Sequence, residues 1–161
     1  MMYMKKIYLI AACLVLAFVS KAQSNTDEIN FMQSTYGMQK KQLIALHMQV
    51  SKADSAKFWS LYDAYEVTRK DIGKKRIANI EEYSKNYDKL TNEKTDALIN
   101  TTLEVYNDFG KLWKNTYKKM AKEISPLTAG KFIQVEMYLE SLVRNELSAE
   151  IPLIEEFEPK K

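Results

Sequence analysis

Seven side chains between residues 98 and 120 recur at steps of three and four, which is the spacing of one face of an α-helix. We call this row the seam; it consists of Leu98, Thr102, Val105, Phe109, Leu112, Thr116 and Met120. A near-heptad row of this kind is typical of a helix that packs lengthwise against another helix. The seam therefore predicts a long helix over residues 92–124 with one buried edge.

The remainder of the chain also favours helices. It has only four glycines and three prolines in 161 residues, and no Asn-Gly or Asp-Gly pair indicates a β-hairpin. Three more helices are predicted: residues 27–48, a segment from just after Ser51 to residue 87, and residues 126–150. Gly37 and Gly73 are positions where the first two could divide or bend. We expect an all-α fold of four helices.

The second and third predicted helices are joined by a four-residue turn in which Thr91 is a predicted cap. Two long helices connected in this way form an extended antiparallel hairpin. Such a hairpin has too few neighbours in a monomer to cover both of its apolar sides, so a homodimer is expected. Pro152 ends the fourth helix, and a short amphipathic tail follows it.

A short segment occurs twice in the sequence. Residues 50–66 and residues 124–140 align without a gap, and apolar positions coincide along their length. The identical pairs are Ser51/Ser125, Lys57/Lys131, Phe58/Phe132 and Glu66/Glu140. In each copy an apolar residue and a serine precede an aromatic-bearing helical pattern.

The two serines predict helix caps, because a serine hydroxyl there can accept hydrogen bonds from the free N–H groups of the first turn. Ser51 with Asp54 resembles a capping box. Ser125 is followed by Pro126, which suits the first helical position, and Thr128 follows three residues after the serine. These five residues are the predicted helix-cap motif. The simplest explanation of the pattern is that two helices begin here.

Residues 1–22 have the composition of a secretory signal peptide. Two lysines precede an almost unbroken apolar run over residues 7–19, and small residues at positions 20 and 22 predict cleavage after Ala22. The apolar run is shorter than the roughly 20 residues of a membrane-spanning helix, although an uncleaved anchor is the alternative. We expect one all-α domain over residues 23–154, with residues 155–161 as a charged tail.

Cys13 is the only cysteine and follows a segment that resembles a bacterial lipoprotein box. In lipoprotein signals the apolar region precedes the cysteine, whereas here most of it follows, so acylation is not expected. Cleavage after Ala22 would leave a chain without cysteine. Disulfides and thiol chemistry are then excluded, although an exported compartment would permit disulfides.

Signal cleavage also changes the charge balance. The whole chain has 24 Lys and Arg residues against 21 Asp and Glu residues. Three of the lysines and none of the acids lie in residues 1–22, so the remaining chain is formally neutral. A general electrostatic basis for nucleic-acid binding is therefore lacking.

Over residues 40–154 the chain resembles the Spy/CpxP family of periplasmic proteins, which have a signal peptide, a long helical hairpin and two helix starts of the Leu-Thr-x-x-Gln kind. The counterparts here are Val-Ser-Lys-Ala-Asp at residues 50–54 and Ile-Ser-Pro-Leu-Thr at residues 124–128. In place of the family's glutamine, this chain has Asp54 and Thr128. The sequences after the two caps, which begin at Phe58 and Phe132, are also similar to those of divergent members.

This resemblance implies a cradle-shaped, all-α homodimer in the periplasm. It also implies an ATP-independent chaperone or envelope-stress protein that holds partly unfolded clients on a basic and apolar surface, without a cofactor. The basic residues that could supply this surface are Arg69, Lys74, Arg76, Lys111, Lys114, Lys118 and Lys119. Ordinary solvated helix faces are the alternative explanation. No membrane span is expected after signal cleavage.

Catalysis is not expected, because the chain has no glycine-rich phosphate loop and His47 is its only histidine. Metal sensing, which some relatives of the family perform, favours imidazole and thiolate ligands. With one histidine and no cysteine after cleavage, a metal site would need methionines, carboxylates or ligands pooled around a dimer axis. Met32, Met38 and Met48 do not share a helix face and are predicted to fill the core.

A dedicated envelope adaptor or sensor, which binds one partner without general chaperone activity, is the main alternative function. A general chaperone should protect unrelated clients, whereas an adaptor should not. The two tryptophans, Trp59 and Trp113, are predicted to lie in the core.

Overall fold

The computed structural model of the protein describes residues 25–154, and the side chains from residue 36 onward. Four α-helices occupy this range, with a short 3₁₀ turn at Tyr87–Lys89, and the range contains no strand. They are α1 (Asn25–Met48), α2 (Ser55–Asn86), α3 (Asn92–Glu123) and α4 (Pro126–Glu150). The predicted all-α class is confirmed. The signal segment and the charged tail lie outside the described residues.

The predicted helix boundaries agree with the structure except at the start of α2. This helix begins at Ser55, and a turn precedes it, because the Asp54 N–H donates to both the carbonyl and the hydroxyl oxygen of Ser51 at 3.2 and 3.1 Å. Neither glycine divides its helix, since α1 continues through Gly37 and α2 continues through Gly73.

The α2 and α3 helices form the predicted antiparallel hairpin. Contacts between them pair late residues of one helix with early residues of the other. Trp113 Nε1 donates to the Tyr65 hydroxyl at 3.3 Å, and Lys94 Nζ lies 2.6 Å from Glu82 Oε1. At about 1.5 Å per residue, each 32-residue helix is about 48 Å long.

The seam lies along the side of α3 that packs on α2. Six of its seven residues are buried, and the seventh, Thr102, is half-buried. The Asn79 side-chain amide on α2 donates to Thr102 Oγ1 at 2.9 Å and to the Leu98 carbonyl at 3.1 Å. Apolar burial and hydrogen bonds therefore join the two helices along one edge.

The repeated segments meet in an aromatic cluster. Phe58 and Phe132, which align with each other in the sequence, have ring centroids 5.8 Å apart and perpendicular planes. Tyr62 and Tyr65 also contact Phe132 edge-on, at 6.0 and 5.2 Å. Edge-to-face pairs add roughly 0.5–1.5 kcal/mol each to the burial of the rings, so this cluster anchors the first turns of α4 on α2.

The chain divides into two compact units, and the hairpin, the seam and the aromatic cluster belong to the unit Lys41–Ile133. The other unit contains residues 25–40 and 134–154 of the described chain. Its interior holds an ion pair between Lys40 and Glu136, 2.6 Å apart and each only 2% exposed. Burying two charges is unfavourable unless they are closely paired, and this close pair joins α1 to α4 within that unit.

Across the described residues, none of the helices has the length and apolar composition that crossing a bilayer requires.

Candidate functional site

The seven basic residues predicted to bind clients fall into two groups in the structure. Arg69 and Arg76 on α2 are directed into intramolecular contacts, whereas the other five are wholly or partly exposed to solvent. The exposed group is Lys74, Lys111, Lys114, Lys118 and Lys119. The division depends on whether an acidic or aromatic partner lies within reach.

Arg69 is held by its own helix. Its Nε donates to both carboxylate oxygens of Glu66, at 2.9 and 3.0 Å, and the two side chains are about one-tenth exposed. Arg76 lies over the ring of Phe109, with 4.9 Å between the guanidinium carbon and the ring centroid. This cation–π contact joins Arg76 to the seam. Arg76 therefore joins α2 to α3, whereas Arg69 is held within α2.

Five lysines line the outer side of α3, and we call them the lysine face. They are Lys111, Lys114, Lys118, Lys119 and Lys122, and all are exposed. Lys111 lies 3.7 Å from Asp108 one turn earlier. Within residues 36–154, no salt bridge involves the other four. The lysine face is thus a concentration of positive charge with little local compensation.

A second apolar row runs along α3 beside the seam, and we call it the stripe. It consists of Ile99, Leu103, Tyr106, Gly110, Trp113 and Tyr117, again at steps of four and three. Ile99, Leu103, Tyr106 and Tyr117 are between 40 and 59% exposed. Trp113 is half-buried, because its indole N–H reaches Tyr65, so the prediction that it lies in the core holds only in part.

The stripe was not predicted from the sequence, although its spacing matches that of the seam. Two adjacent rows at this spacing indicate a helix with a wide apolar arc, and only one row can face a single partner helix. The stripe and the lysine face adjoin on the outer side of α3, because Lys114 follows Gly110 and Leu103 by about one and three helical turns, close to the same side of the helix.

The predicted helix-cap residues make local hydrogen bonds near the starts of α2 and α4. Ser125 Oγ accepts from the Thr128 N–H at 3.1 Å and donates to Thr128 Oγ1 at 2.9 Å. The first copy has the same pair of contacts, with Ser51 Oγ donating to Asp54 Oδ2 at 2.8 Å. Pro126 is the first residue of α4. The serine contacts are therefore repeated, but Ser125 directly precedes α4, whereas Ser51 closes a turn before α2.

Two further sequence predictions concern the histidine and the methionines. His47 is exposed in the last turn of α1. No group of three or more His, Cys, Asp or Glu side chains in the described residues could hold a metal ion. Met48 is buried as predicted, but Met38 is 62% exposed and does not fill the core, because its helix turns it to solvent. The side chain of Met32 lies outside the described set.

No protein-family model matches this chain, and neither a curated protein nor a solved structure is significantly similar to it.

Proposed function

We propose that this protein is a periplasmic, ATP-independent chaperone or envelope-stress protein that binds partly unfolded clients on the outer face of α3. The observation that carries the proposal is the stripe of exposed apolar side chains directly beside the lysine face. Surface patches of contiguous apolar residues mark interaction sites more often than isolated apolar residues do.

The arrangement suits a flexible client better than a small ligand. The stripe spans 19 residues of helix, from Ile99 to Tyr117, and the 18 steps between its ends correspond to about 27 Å at about 1.5 Å per residue. A partly unfolded chain exposes apolar side chains together with charged ones, so it can contact the stripe and the lysines at once. Lysines have long, mobile side chains with strongly hydrated charges, and such side chains hold acidic segments without demanding one geometry.

Export to the periplasm is part of the proposal and rests on the composition of residues 1–22. A signal peptide with cleavage after Ala22 would release a soluble helical domain into the compartment where the envelope clients unfold. The charge of the remaining chain would then be balanced overall, so the lysine face would be a local feature.

Aggregation of two unrelated unfolding proteins in the presence of the purified exported chain, without ATP, tests this function. We expect protection of both clients by the unmodified protein. Glutamine substitution of four residues of the lysine face, at positions 111, 114, 118 and 119, should weaken it several-fold.

A matched control carries glutamine at four exposed lysines outside α3, namely Lys52, Lys57, Lys85 and Lys89. This variant loses the same charge and should protect the clients as well as the unmodified protein does. Equal loss of protection in both variants would show that overall charge, and not the outer face of α3, determines client binding.

A dedicated envelope adaptor or sensor is the alternative function. The apolar residues after α4 favour it, since Leu153 is 70% and Ile154 is 43% exposed next to Pro152. An adaptor of this kind would bind one envelope protein and would leave unrelated clients unprotected. Folded, helical protein that protects neither client would therefore support the adaptor and exclude the general chaperone.

A further inference from the structure

The positive charge of α3 is confined to its second half. Residues 109–122, which we call the basic half, contain five lysines and no acid. The acids that precede them on the helix are Glu93, Asp96, Glu104 and Asp108. A basic amphipathic segment is typical of helices that lie on membrane surfaces. We infer that the basic half of α3 binds the surface of an anionic phospholipid bilayer. This inference depends on export of the chain and not on chaperone activity.

The charge of the basic half is directed at solvent. Lys111 lies 3.7 Å from Asp108, but Asp108 also lies 3.6 Å from Lys75 on α2. Glu104, one turn earlier, is held by Lys75 at 2.7 Å. The two nearest acids on α3 are therefore shared with α2, and the other four lysines make no salt bridge among the described side chains. An anionic partner would complement this uncompensated charge.

The large side chains of the stripe change in kind along α3. Ile99 and Leu103, in its first half, are aliphatic. Tyr106 and Tyr117, which are 50 and 40% exposed, and the half-buried Trp113 are aromatic. Tyrosine and tryptophan concentrate at membrane–water interfaces, because one part of the side chain is apolar and another part forms hydrogen bonds. The aromatic part of the stripe is the part that lies beside the lysines.

The lysines and the exposed rings extend from the same side of α3. Lys114 precedes Tyr117 by three residues and Lys118 by four, and residues three and four apart are neighbours on a helix surface. A lysine beside apolar surface lays its carbon chain along that surface and keeps its ammonium group in a polar layer. A bilayer offers these two layers in the same order, since its phosphates lie above its apolar region. The tyrosine rings would lie at the level of the headgroups.

The kind of cation also favours a bilayer over a single fixed anion. All five basic residues of the basic half are lysines, and none is an arginine. Arginine has a planar fork that suits one carboxylate or phosphate in a defined geometry, whereas lysine is a mobile point charge. A row of mobile charges along about 20 Å of helix suits a surface with many equivalent phosphates. A soluble polyanion would contact the lysines and leave the tyrosine rings in water.

Sedimentation with vesicles tests the binding. The protein is the exported chain from Gln23, so that the apolar run over residues 7–19 does not itself bind lipid. It should bind vesicles of phosphatidylcholine mixed with phosphatidylglycerol, and should bind vesicles of phosphatidylcholine alone about tenfold more weakly or worse. Added salt should release it, because salt screens exposed charges. Equal binding to both vesicles, or no binding of helical protein to either, would overturn the inference.

Paired substitutions locate the binding surface. Lys114→Gln together with Lys118→Gln should weaken binding to the anionic vesicles by about tenfold or more, because each lysine near an anionic leaflet raises partitioning roughly fivefold. Lys85→Gln together with Lys89→Gln makes the same charge change at exposed positions beside the turn between α2 and α3. This control should leave vesicle binding unchanged. Equal weakening in the two variants would show that overall charge determines binding and would overturn the assignment to the basic half.

A fluorescent probe tests which side chains enter the headgroup layer. The exported chain has no cysteine, so an environment-sensitive dye can be attached through Tyr117→Cys, or through Val67→Cys on α2. With anionic vesicles, the emission should shift to shorter wavelengths at position 117 and stay unchanged at position 67. A dye attached through Ile99→Cys should shift less than at 117, because the anionic surface repels the neighbouring Asp96. Equal shifts at 117 and 67, or at 117 and 99, would overturn the assignment.

Polyphosphate and an unfolding client separate this inference from the other functions of the same face. Inorganic polyphosphate should compete with the vesicles without shifting the emission at position 117. A shift as large as that with vesicles would assign the surface to a soluble polyanion and overturn the bilayer. Binding to anionic vesicles with no protection of any client would reject the chaperone function and leave this inference supported. Protection of clients without vesicle binding would overturn this inference alone.

Discussion

The two apolar rows of α3 differ by one residue in position and completely in environment. The seam is packed against α2, and Phe109 at its middle is only 3% exposed; Leu103 in the stripe is 59% exposed. Both rows have the same spacing, and both contain large apolar side chains. Spacing therefore shows that a side of a helix is apolar, whereas the number of neighbouring helices decides whether this side is core or surface.

The largest effect is expected when one side chain is removed from each row. Phe109→Ala should lower the free energy of unfolding by about 3–5 kcal/mol, because it leaves a cavity in the packed hairpin. Leu103→Ala should change it by no more than about 0.5 kcal/mol, as is usual at exposed positions. Urea denaturation of the purified variants measures both. A similar loss in the two variants would mean that the stripe is buried within the folded chain.

Hydrogen bonds offer a second comparison between the two sides of α3. Asn79→Ala removes the side-chain contacts to Thr102 and to the Leu98 carbonyl, so we expect a loss of about 1–2 kcal/mol in the free energy of unfolding. Asn100→Ala, at an exposed position of α3 itself, should be neutral within about 0.5 kcal/mol. Denaturation of the two variants under the same conditions makes the comparison, and equal effects would contradict it.

Gly110→Ala tests whether the middle of the stripe is open to solvent in the folded chain. The substitution should raise the free energy of unfolding by up to about 1 kcal/mol, because alanine favours a helix over glycine and the added methyl group meets nothing in the chain. Urea denaturation measures this gain, and a loss of stability would mean that the stripe is packed within the folded chain. Gly130→Ala is the matched control, since its methyl group also meets nothing, and it should stabilise the chain to a similar extent.

The smallest expected effect concerns an ion pair that joins α2 to α3. A hydrogen bond and the nearby charge of Lys94 lower the pKa of Glu82 below its ordinary value. A lowered pKa in the folded state stabilises the fold above the unfolded-state pKa, and this contribution disappears as the pH falls through the folded-state pKa. Lys94→Gln should return the pKa of Glu82 towards its ordinary value, as seen by NMR titration of the Glu82 carboxyl group. Lys114→Gln, on the outer face, should leave it unchanged.

Much of the fold follows from local pattern. The seam, the caps at Thr91 and Ser125 and the end of α4 before Pro152 were all predictable, because each depends on a few neighbouring residues. The start of α2 was less predictable. A serine hydroxyl that accepts from the backbone N–H three residues later can close a turn as well as cap a helix. The Ser51 hydroxyl and carbonyl oxygens both accept from the Asp54 N–H, and the helix begins at the next residue, Ser55.

The candidate site could be predicted only in part, because exposure depends on the register between α2 and α3. That register brings Arg76 over Phe109, while Glu66 holds Arg69 within α2, so the two arginines join the interior. Of the five lysines on the outer side of α3, Lys111 lies 3.7 Å from Asp108, and the other four make no salt bridge within residues 36–154. The sequence alone does not distinguish these lysines from the arginines. The exposure of the stripe could not be predicted for the same reason, because it depends on α3 packing along its length against α2 among the described helices.

Site-specific photo-cross-linking tests most directly whether the outer face of α3 is the binding surface of this protein. A photoreactive residue would replace Leu103 in the stripe or Val67 on α2, two positions that are 59 and 65% exposed. With an unfolding client present, position 103 should cross-link to the client and position 67 should not. Equal cross-linking from both positions, or cross-linking from position 67 alone, would contradict the assignment of the surface.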